Sequence, residues 1–363
     1  GAATVYLPLW HYEFEDLVVL KNNKGTEENR VRHMDYTFQM NKLMYERLLT
    51  GGNITFFDPH DVPGLYESFF SDQDKFKAIY EEYERKTSIR KKTMPALDVF
   101  QSLLSERKDT GRVYVMNVDH ANEHGAFHPK VAPIRMSNLC CEIDLPTKPL
   151  QSADDPNGEI SLCTKASADL ASEKGKINKN YETKYGSGIL PIDTYKEAVD
   201  NLVKPNERMP WQSLREQLQD SGIRNSTLMA LMPAETSAQI SNSTNGIEPP
   251  RALVSYKQSK DGVMAQVVPG IHHLKNKYDL LWDQESPDGY LKICAILQKY
   301  IDQGISVNTS YNPQFFEDNK VPMSEMVTDL VTAYKYGLKQ LYYFNTHDGA
   351  GDNSEEDCES CKI

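Results

Sequence analysis

The chain has 363 residues, 39% hydrophobic and 25% charged, with 40 lysines and arginines against 52 aspartates and glutamates. That is room for one large domain or two ordinary ones with a sizeable core, and it excludes a collagenous or wholly disordered chain. A net charge of −12 without a basic cluster argues against a groove for polymeric nucleic acid. No apolar run approaches the ~18 residues of a membrane helix, so no membrane partner is expected. Six cysteines (Cys140, Cys141, Cys163, Cys294, Cys358, Cys361) are too few for a disulfide scaffold and fit a reducing, cytoplasmic compartment.

Gly1-Ala2-Ala3-Thr4 runs straight into Val5-Tyr6-Leu7-Pro8-Leu9-Trp10, the reading being a chain that begins inside a domain. A unit of helix, glycine stop and short apolar strand then recurs. Asp35 caps a first helix with Tyr36, Met40, Leu43, Met44 and Leu48 on one face, and Gly51-Gly52 precedes a strand from Ile54 to Phe57. Leu97, Phe100, Leu103 and Leu104 mark a second helix, closed by Gly111 before a strand over 112–118. A third unit is the helix 211–219, Gly222 and a strand over 227–232. A fourth is the helix 290–303, Gly304 and a strand over 305–308. The last starts at Ser324, stops at Gly337 and leads to a strand over 341–344. Five such units predict an α/β architecture with mainly parallel strands. One hairpin, 252–258 with 263–268, interrupts the rhythm around Ser259-Lys260-Asp261-Gly262. Residues 1–345 form the expected body, and 346–363, acidic and with almost nothing to bury, a flexible tail.

The strongest local constellation is Ser137-Asn138-Leu139-Cys140-Cys141-Glu142-Ile143. In extended backbone Asn138, Cys140 and Glu142 project to one side, while Cys141 points the other way as packing. An amide, a thiol and a carboxyl together suit hydrogen abstraction or proton exchange at a polar substrate. The neighbouring carboxylate disfavours thiolate, and a thiol is what a thiyl-radical route needs. The bland alternative is a buried cysteine beside a satisfied polar pair. Cys163 alone reads as core. Cys358-Glu359-Ser360-Cys361 suits a mobile dithiol better than half a zinc site, since the nearest histidine is His347. Pro233-Ala234-Glu235-Thr236-Ser237 follows an expected strand and opens an expected helix, where free N–H groups and two hydroxyls fit either a phosphate or ordinary capping. Tyr342-Tyr343 is a core pair or a relay for an oxidising equivalent, and a stacked relay needs the strand to twist or break there. No metal site is expected, none of the nine histidines being read as a helix-spaced pair.

Taken together, Ser137-Asn138-Leu139-Cys140 with Glu142, Cys163, Met232 to Ser237, Leu341-Tyr342-Tyr343 with Asn345-Thr346, and the terminal Cys-Glu-Ser-Cys-Lys-Ile closely resemble the large (alpha) subunit of class I aerobic ribonucleotide reductase. Arg30-Val31-Arg32-His33-Met34-Asp35-Tyr36 and Asn117-Val118-Asp119-His120 extend the likeness along nearly the whole chain. The resemblance implies a ten-stranded α/β barrel that reduces ribonucleoside diphosphates at the 2′ carbon. It implies Cys140 as the thiyl radical, and Asn138 and Glu142 as groups that bind and exchange protons with the ribose hydroxyls. Cys163 becomes half of the reducing dithiol, Tyr342 and Tyr343 the radical path, Cys358 and Cys361 the tail dithiol, and Glu235, Thr236 and Ser237 the substrate-phosphate segment. No cofactor binds directly, because the radical comes from a metal-containing small subunit. Further partners so implied are the N-terminal part of the large subunit, thioredoxin or glutaredoxin, and a second copy in a dimer when complete.

The departures shape the expectation. The N-terminal ATP-binding region, most of the specificity site for ATP and deoxynucleotide effectors, and the cysteine that pairs with Cys163 have no counterpart. After Leu162-Cys163-Thr164 the sequence rejoins the family pattern far downstream. The expected fold is therefore an incomplete barrel whose strand edges need a partner. Three functions compete: a split or truncated reductase component, a non-catalytic subunit-binding remnant, and a general dithiol carrier using Cys358 and Cys361.

Overall fold

In the computed structural model the described residues are 2–147, 175–205, 210–234, 238, 241, 243–259 and 262–347. The expected sites at Cys163, Glu235, Thr236, Ser237, Cys358 and Cys361 lie outside them.

Strand β1 (Thr4–Pro8) and strand β5 (Val113–Asn117) flank β2 (Asp35–Met40) in parallel, and β9 (Gln340–Leu341) joins β5 in antiparallel register. The wall continues in pieces: β10 (Phe344–Thr346) runs parallel to β8 (Thr309–Tyr311), and Leu231 bridges in parallel to Ile305. Among the described residues no pairing joins β1 to Leu231, so the wall is an open, mixed α/β arc. A small antiparallel pair, β3 (Asn53–Phe57) with β4 (Lys91–Pro95), lies outside this arc, and β4 was not anticipated.

The segment from Asp35 is a strand, not the start of a helix. Asp35, Thr37 and Gln39 alternate with Tyr36, Phe38 and Met40, which is the period of two of a strand. All six are buried, and Asp35 and Gln39 find partners: Lys21 Nζ stands 2.8 Å from Asp35 Oδ1, and Gln39 Nε2 donates to Arg135 O at 2.5 Å. After the short α1 (Phe14–Leu17), helix α2 (Lys42–Leu49) therefore begins only past Asn41. Helices α3 (Leu65–Ser71) and α4 (Gln73–Arg85) follow β3, and α5 (Ala96–Thr110) leads into β5 as expected. Gly111 ends α5 at φ 71, and a Cβ there would stand 3.2 Å from Phe344 O, so both conformation and space require glycine.

Short α6 (Val118–Glu123) follows β5, and the later units hold less regularly. Helix α7 (Trp211–Ser221) forms, but the expected strand 227–232 shrinks to the Leu231 bridge, because the Asp302 carboxylate takes the N–H groups of Leu228 and Met229 at 2.7 and 2.9 Å. Helix α8 (Asp288–Gln298) stops five residues short of Gln303. Past Gln298 the ladder gives way: Tyr300 N and Ile301 N donate three residues back, to Leu297 O and Gln298 O, and Gln303 N donates to Met229 O. Side chains take the carbonyls beyond, Gln298 Nε2 donating to Ile301 O and Gln303 O, and Lys339 Nζ to Asp302 O and Gln303 O. The strand expected over 305–308 is one bridge at Ile305, with β8 starting at Thr309. Helix α9 (Met323–Lys335) forms, and the strand after it is broken between Leu341 and Phe344. The hairpin of β6 (Val254–Ser259) and β7 (Gly262–Val267) pairs as anticipated. The body runs on past Asn345, since His347 N donates to Tyr311 O and its ring stacks on Trp282 at 5.0 Å.

Aromatics fill the core under β2 and β3. Phe14 stacks on Phe56 at 5.3 Å and meets Phe38 edge-on at 5.6 Å, while Trp10 meets Phe69 at 5.8 Å. Phe38 is fully buried on the central strand. Phe38→Ala is expected to cost about 3–5 kcal/mol, read as a lowered denaturant midpoint at unchanged slope.

Candidate active site

Residues 137–144 form a turn, closed where Ser137 and Asp144 bridge in antiparallel fashion. Asn138 organises it. Its Oδ1 accepts from Glu142 N at 3.0 Å and Ile143 N at 3.1 Å, its Nδ2 donates to Glu142 Oε1 at 2.7 Å, and its carbonyl accepts from Cys141 N at 3.2 Å. Cys141 takes the left-handed conformation, φ 62, that the turn requires. Asn138, Cys140 and Glu142 thus belong to one feature, but not through extended backbone as the sequence reading had it. In a strand, residues four apart are separated by ~13 Å, too far for a 2.7 Å side-chain bond between them.

Cys140 is buried in a small cluster with Tyr114, Cys141 and Tyr342, flanked by Leu139 and Tyr343. Its carbonyl lies 2.5 Å from Ser306 Oγ, which is also 3.0 Å from Glu142 Oε2. Cys141 is fully enclosed, 3.8 Å from the Tyr6 hydroxyl, and burial pushes its thiol up, in keeping with a packing role. Tyr6 reaches in from β1 and donates to Asn138 O at 2.8 Å. Gly304, read from the sequence as a helix stop, is needed for close approach: a Cβ there would meet Cys141 O, Glu142 Cα and Glu142 O, each at 3.1 Å.

Tyr342 and Tyr343 stack at 3.9 Å with 26° between ring planes. Regular strand geometry sends neighbours to opposite faces, and the break between β9 and β10 is what brings these rings together. Tyr114 joins them at 4.8 Å from Tyr342 and 5.9 Å from Tyr343, its hydroxyl donating to Asp35 Oδ2 at 2.8 Å. Burial, reinforced by neighbouring groups, raises the phenols of Tyr342 and Tyr114 far above their ordinary value, so both stay neutral.

Nothing in the spacing announces Tyr6, Tyr114 or Ser306 as lining residues. They arrive from β1, β5 and the segment before β8, and only the alternation of β5 hints that Tyr114 and Met116 share a face. The histidine reading needs correction too. His120 and His124 stand four apart at the end of α6, with ring centroids 5.2 Å apart. Burial lowers them to about 3 and about 2, and each Nδ1 engages a carbonyl, of Leu338 and Thr194. Among the described residues no group of three or more His, Cys, Asp or Glu is placed to hold a metal, and no helix is long and apolar enough to cross a membrane.

Behind the turn lies a buried charged layer. The backbone of Asp144 is paired at both ends with the Gln303 amide, at 2.8 Å each, and its Oδ1 accepts from Gln340 Nε2. Its Oδ2 has no hydrogen-bond partner among the described residues. Burial raises this carboxyl well above the carboxylate range against the pull of Lys339, whose own ammonium burial lowers. A carboxyl raised in the fold holds its proton more tightly there than in the unfolded chain. Its contribution is fully present below the unfolded value of ~3.9 and is lost as pH climbs through the folded value. Asp144→Asn, which keeps the neutral shape, is expected to gain stability relative to the parent from about pH 4 to neutrality, by at most about 1.4 kcal/mol per pH unit. Denaturant titrations at stepped pH check this, and parallel profiles would contradict it.

The family model for the ribonucleotide reductase barrel domain matches residues 1–164 and 160–344. The chain is 48% identical over 450 residues to the ribonucleoside-diphosphate reductase subunit alpha of Haemophilus influenzae, covering 99% of this chain and 60% of that relative. It is 45% identical over 462 residues to ribonucleoside-diphosphate reductase 1 subunit alpha of Escherichia coli, and 40% over 461 to subunit alpha of Enterobacteria phage T4, covering all of this chain and 61% of each. The chain thus spans about three-fifths of the length of the curated relatives it matches. With the Haemophilus relative, 450 aligned positions against 363 residues leave at least 87 positions with no counterpart here.

Proposed function

From the premise that this chain belongs to the ribonucleotide reductase barrel family, we propose that it is the catalytic part of a ribonucleoside-diphosphate reductase large subunit, working with the missing portions and a small subunit. The observation that carries this reading is the cluster in which Asn138 and Glu142, bonded at 2.7 Å, flank a buried Cys140 packed beside stacked tyrosines. In this reading the arc of strands is part of a ten-stranded α/β barrel. The radical equivalent arrives from the metal-containing small subunit and passes from Tyr343 to Tyr342 to Cys140. Since Tyr342 is held neutral, its oxidation must release a proton as well as an electron. The resulting Cys140 thiyl takes the 3′ hydrogen of the ribonucleoside diphosphate, and Asn138 and Glu142 hold and exchange protons with the ribose hydroxyls. Ser306, between the Cys140 carbonyl and Glu142 Oε2, keeps that carboxyl oriented.

Glu235, Thr236 and Ser237 take the diphosphate. Cys163 and a cysteine from the missing part reduce the 2′ carbon. Cys358 and Cys361 then re-reduce that pair and are themselves reduced by thioredoxin or glutaredoxin. Reach supports the tail's role: eleven positions separate Cys358 from His347, up to ~36–40 Å when extended, and Tyr342 lies only five positions before His347. Effectors bind mainly on the N-terminal part, and the complete enzyme is a cytoplasmic dimer.

The chain, mixed with an N-terminal large-subunit portion and a radical-bearing small subunit, is expected to form deoxyribonucleoside diphosphates. Cys140→Ser and Tyr342→Phe should each abolish turnover. The 87 unmatched positions favour a second reading, a subunit-binding remnant. Small-subunit binding without turnover in any mixture would establish that reading and overturn the first.

A further inference from the structure

Arg107 lies near the end of α5, 1% exposed, and is absent from the mechanism above. Its Nη1 donates to Val113 O and Tyr342 O, both at 2.6 Å. Its Nη2 donates to Tyr343 O at 3.1 Å and Thr309 Oγ1 at 3.2 Å. Four acceptors come from three places: the start of β5, the junction between β9 and β10, and β8. None is a carboxylate, and burial accordingly lowers the guanidinium to about 10.

The two junction contacts are the informative ones. In a regular strand the carbonyls of neighbouring residues point in opposite directions, and so do their side chains. Here one guanidinium binds the carbonyls of both Tyr342 and Tyr343, a geometry open only to a broken strand. The same break puts both rings on one side, 3.9 Å apart. A break frees carbonyls from the ladder, and in a buried place they must be satisfied. The planar five-donor fork of arginine serves several at once, which a lysine ammonium does not do with the same spread. The remaining junction groups are paired by other segments: Tyr342 N donates to Val307 O at 2.7 Å, Tyr343 N to the Asn308 side chain at 3.0 Å, and Tyr343 O also accepts from Thr309 N at 2.9 Å.

We propose that Arg107 is a positioning residue for the tyrosine pair, holding the junction between β9 and β10 open so that Tyr342 and Tyr343 stack. The inference rests on the relay reading, but its first test needs no turnover. In the full chain, stacked tyrosines give an exciton couplet in circular dichroism, assigned by its loss in Tyr343→Phe. Arg107→Gln is expected to remove that couplet while unfolding stays cooperative. Arg107→Lys keeps the charge without the fork, gives partial recovery, and serves alone if the glutamine variant does not fold. A folded variant with the couplet unchanged overturns the proposal. In the reconstituted enzyme, kcat should fall by about 10- to 100-fold with KM for the diphosphate within twofold. Loss of the couplet at unchanged kcat would overturn the link to the reaction. A chain inactive in every mixture that still loses the couplet in Arg107→Gln separates failure of the relay reading from failure of the positioning claim.

Discussion

Asn138 commits both ends of its carboxamide to the six residues 138–143. Oδ1 accepts two backbone N–H groups and Nδ2 gives a hydrogen to Glu142, so the amide replaces the ladder partners a strand would have supplied. The turn it closes forces Cys141 into left-handed backbone and leaves room for nothing larger than Gly304 alongside. Everything that gives Cys140 its surroundings follows from that closure: the approach of Ser306, the reach of Tyr6 from β1, and the packing against Tyr342.

The irregular places are also where buried cations sit. Lys339 and Arg107 are both enclosed, and neither forms an ion pair among the described residues. Each is bound by carbonyls where an element stops, at 302–303 past the end of α8 for Lys339 and at the broken strand for Arg107. Such an arrangement avoids the cost of desolvating two opposite charges to make one pair, and it satisfies backbone groups that would otherwise be orphaned. Asp144 is the converse case, a buried carboxyl met by amides rather than by the nearby ammonium, and its raised pKa is the consequence.

Elements were legible where one signal ruled. The apolar stripe of α5 and the Gly111 stop gave that helix and the strand after it, and the turn residues gave the β6–β7 hairpin. The reading failed where buried polar residues obscured the period. In β2 the alternation was present but Asp35 looked like a cap, and the partners that let it lie inside, Lys21 and Tyr114, are 14 and 79 positions away. Helix α8 is shorter than its apolar pattern suggests because nothing local says that Gln303 N will pair with the distant Met229 O. For the site, local spacing found Asn138, Cys140 and Glu142 as neighbours but assigned them the wrong backbone. The residues around them come from distant segments, which no local pattern could supply.

The division of the family match into two pieces bears on what the chain retains. Asn138, Cys140, Glu142, Arg107 and Tyr114 belong to the first piece, and Gln303, Ser306, Thr309, Lys339, Tyr342 and Tyr343 to the second. Several hydrogen bonds between the pieces fall on these residues: Gly304 N to Glu142 O, Ser306 Oγ to Cys140 O, the Gln303 amide to both ends of Asp144, and Arg107 to the tyrosine junction. Asn117 adds two more, its N–H to Lys339 O and its amide to Leu338 O. The candidate site is therefore assembled across the junction of the two matched pieces, and a second set of bonds joins them where Lys184 donates to the carbonyls of Asn122, Glu123 and Ala126. The turn and the tyrosine pair are held across that junction by contacts between residues this chain supplies.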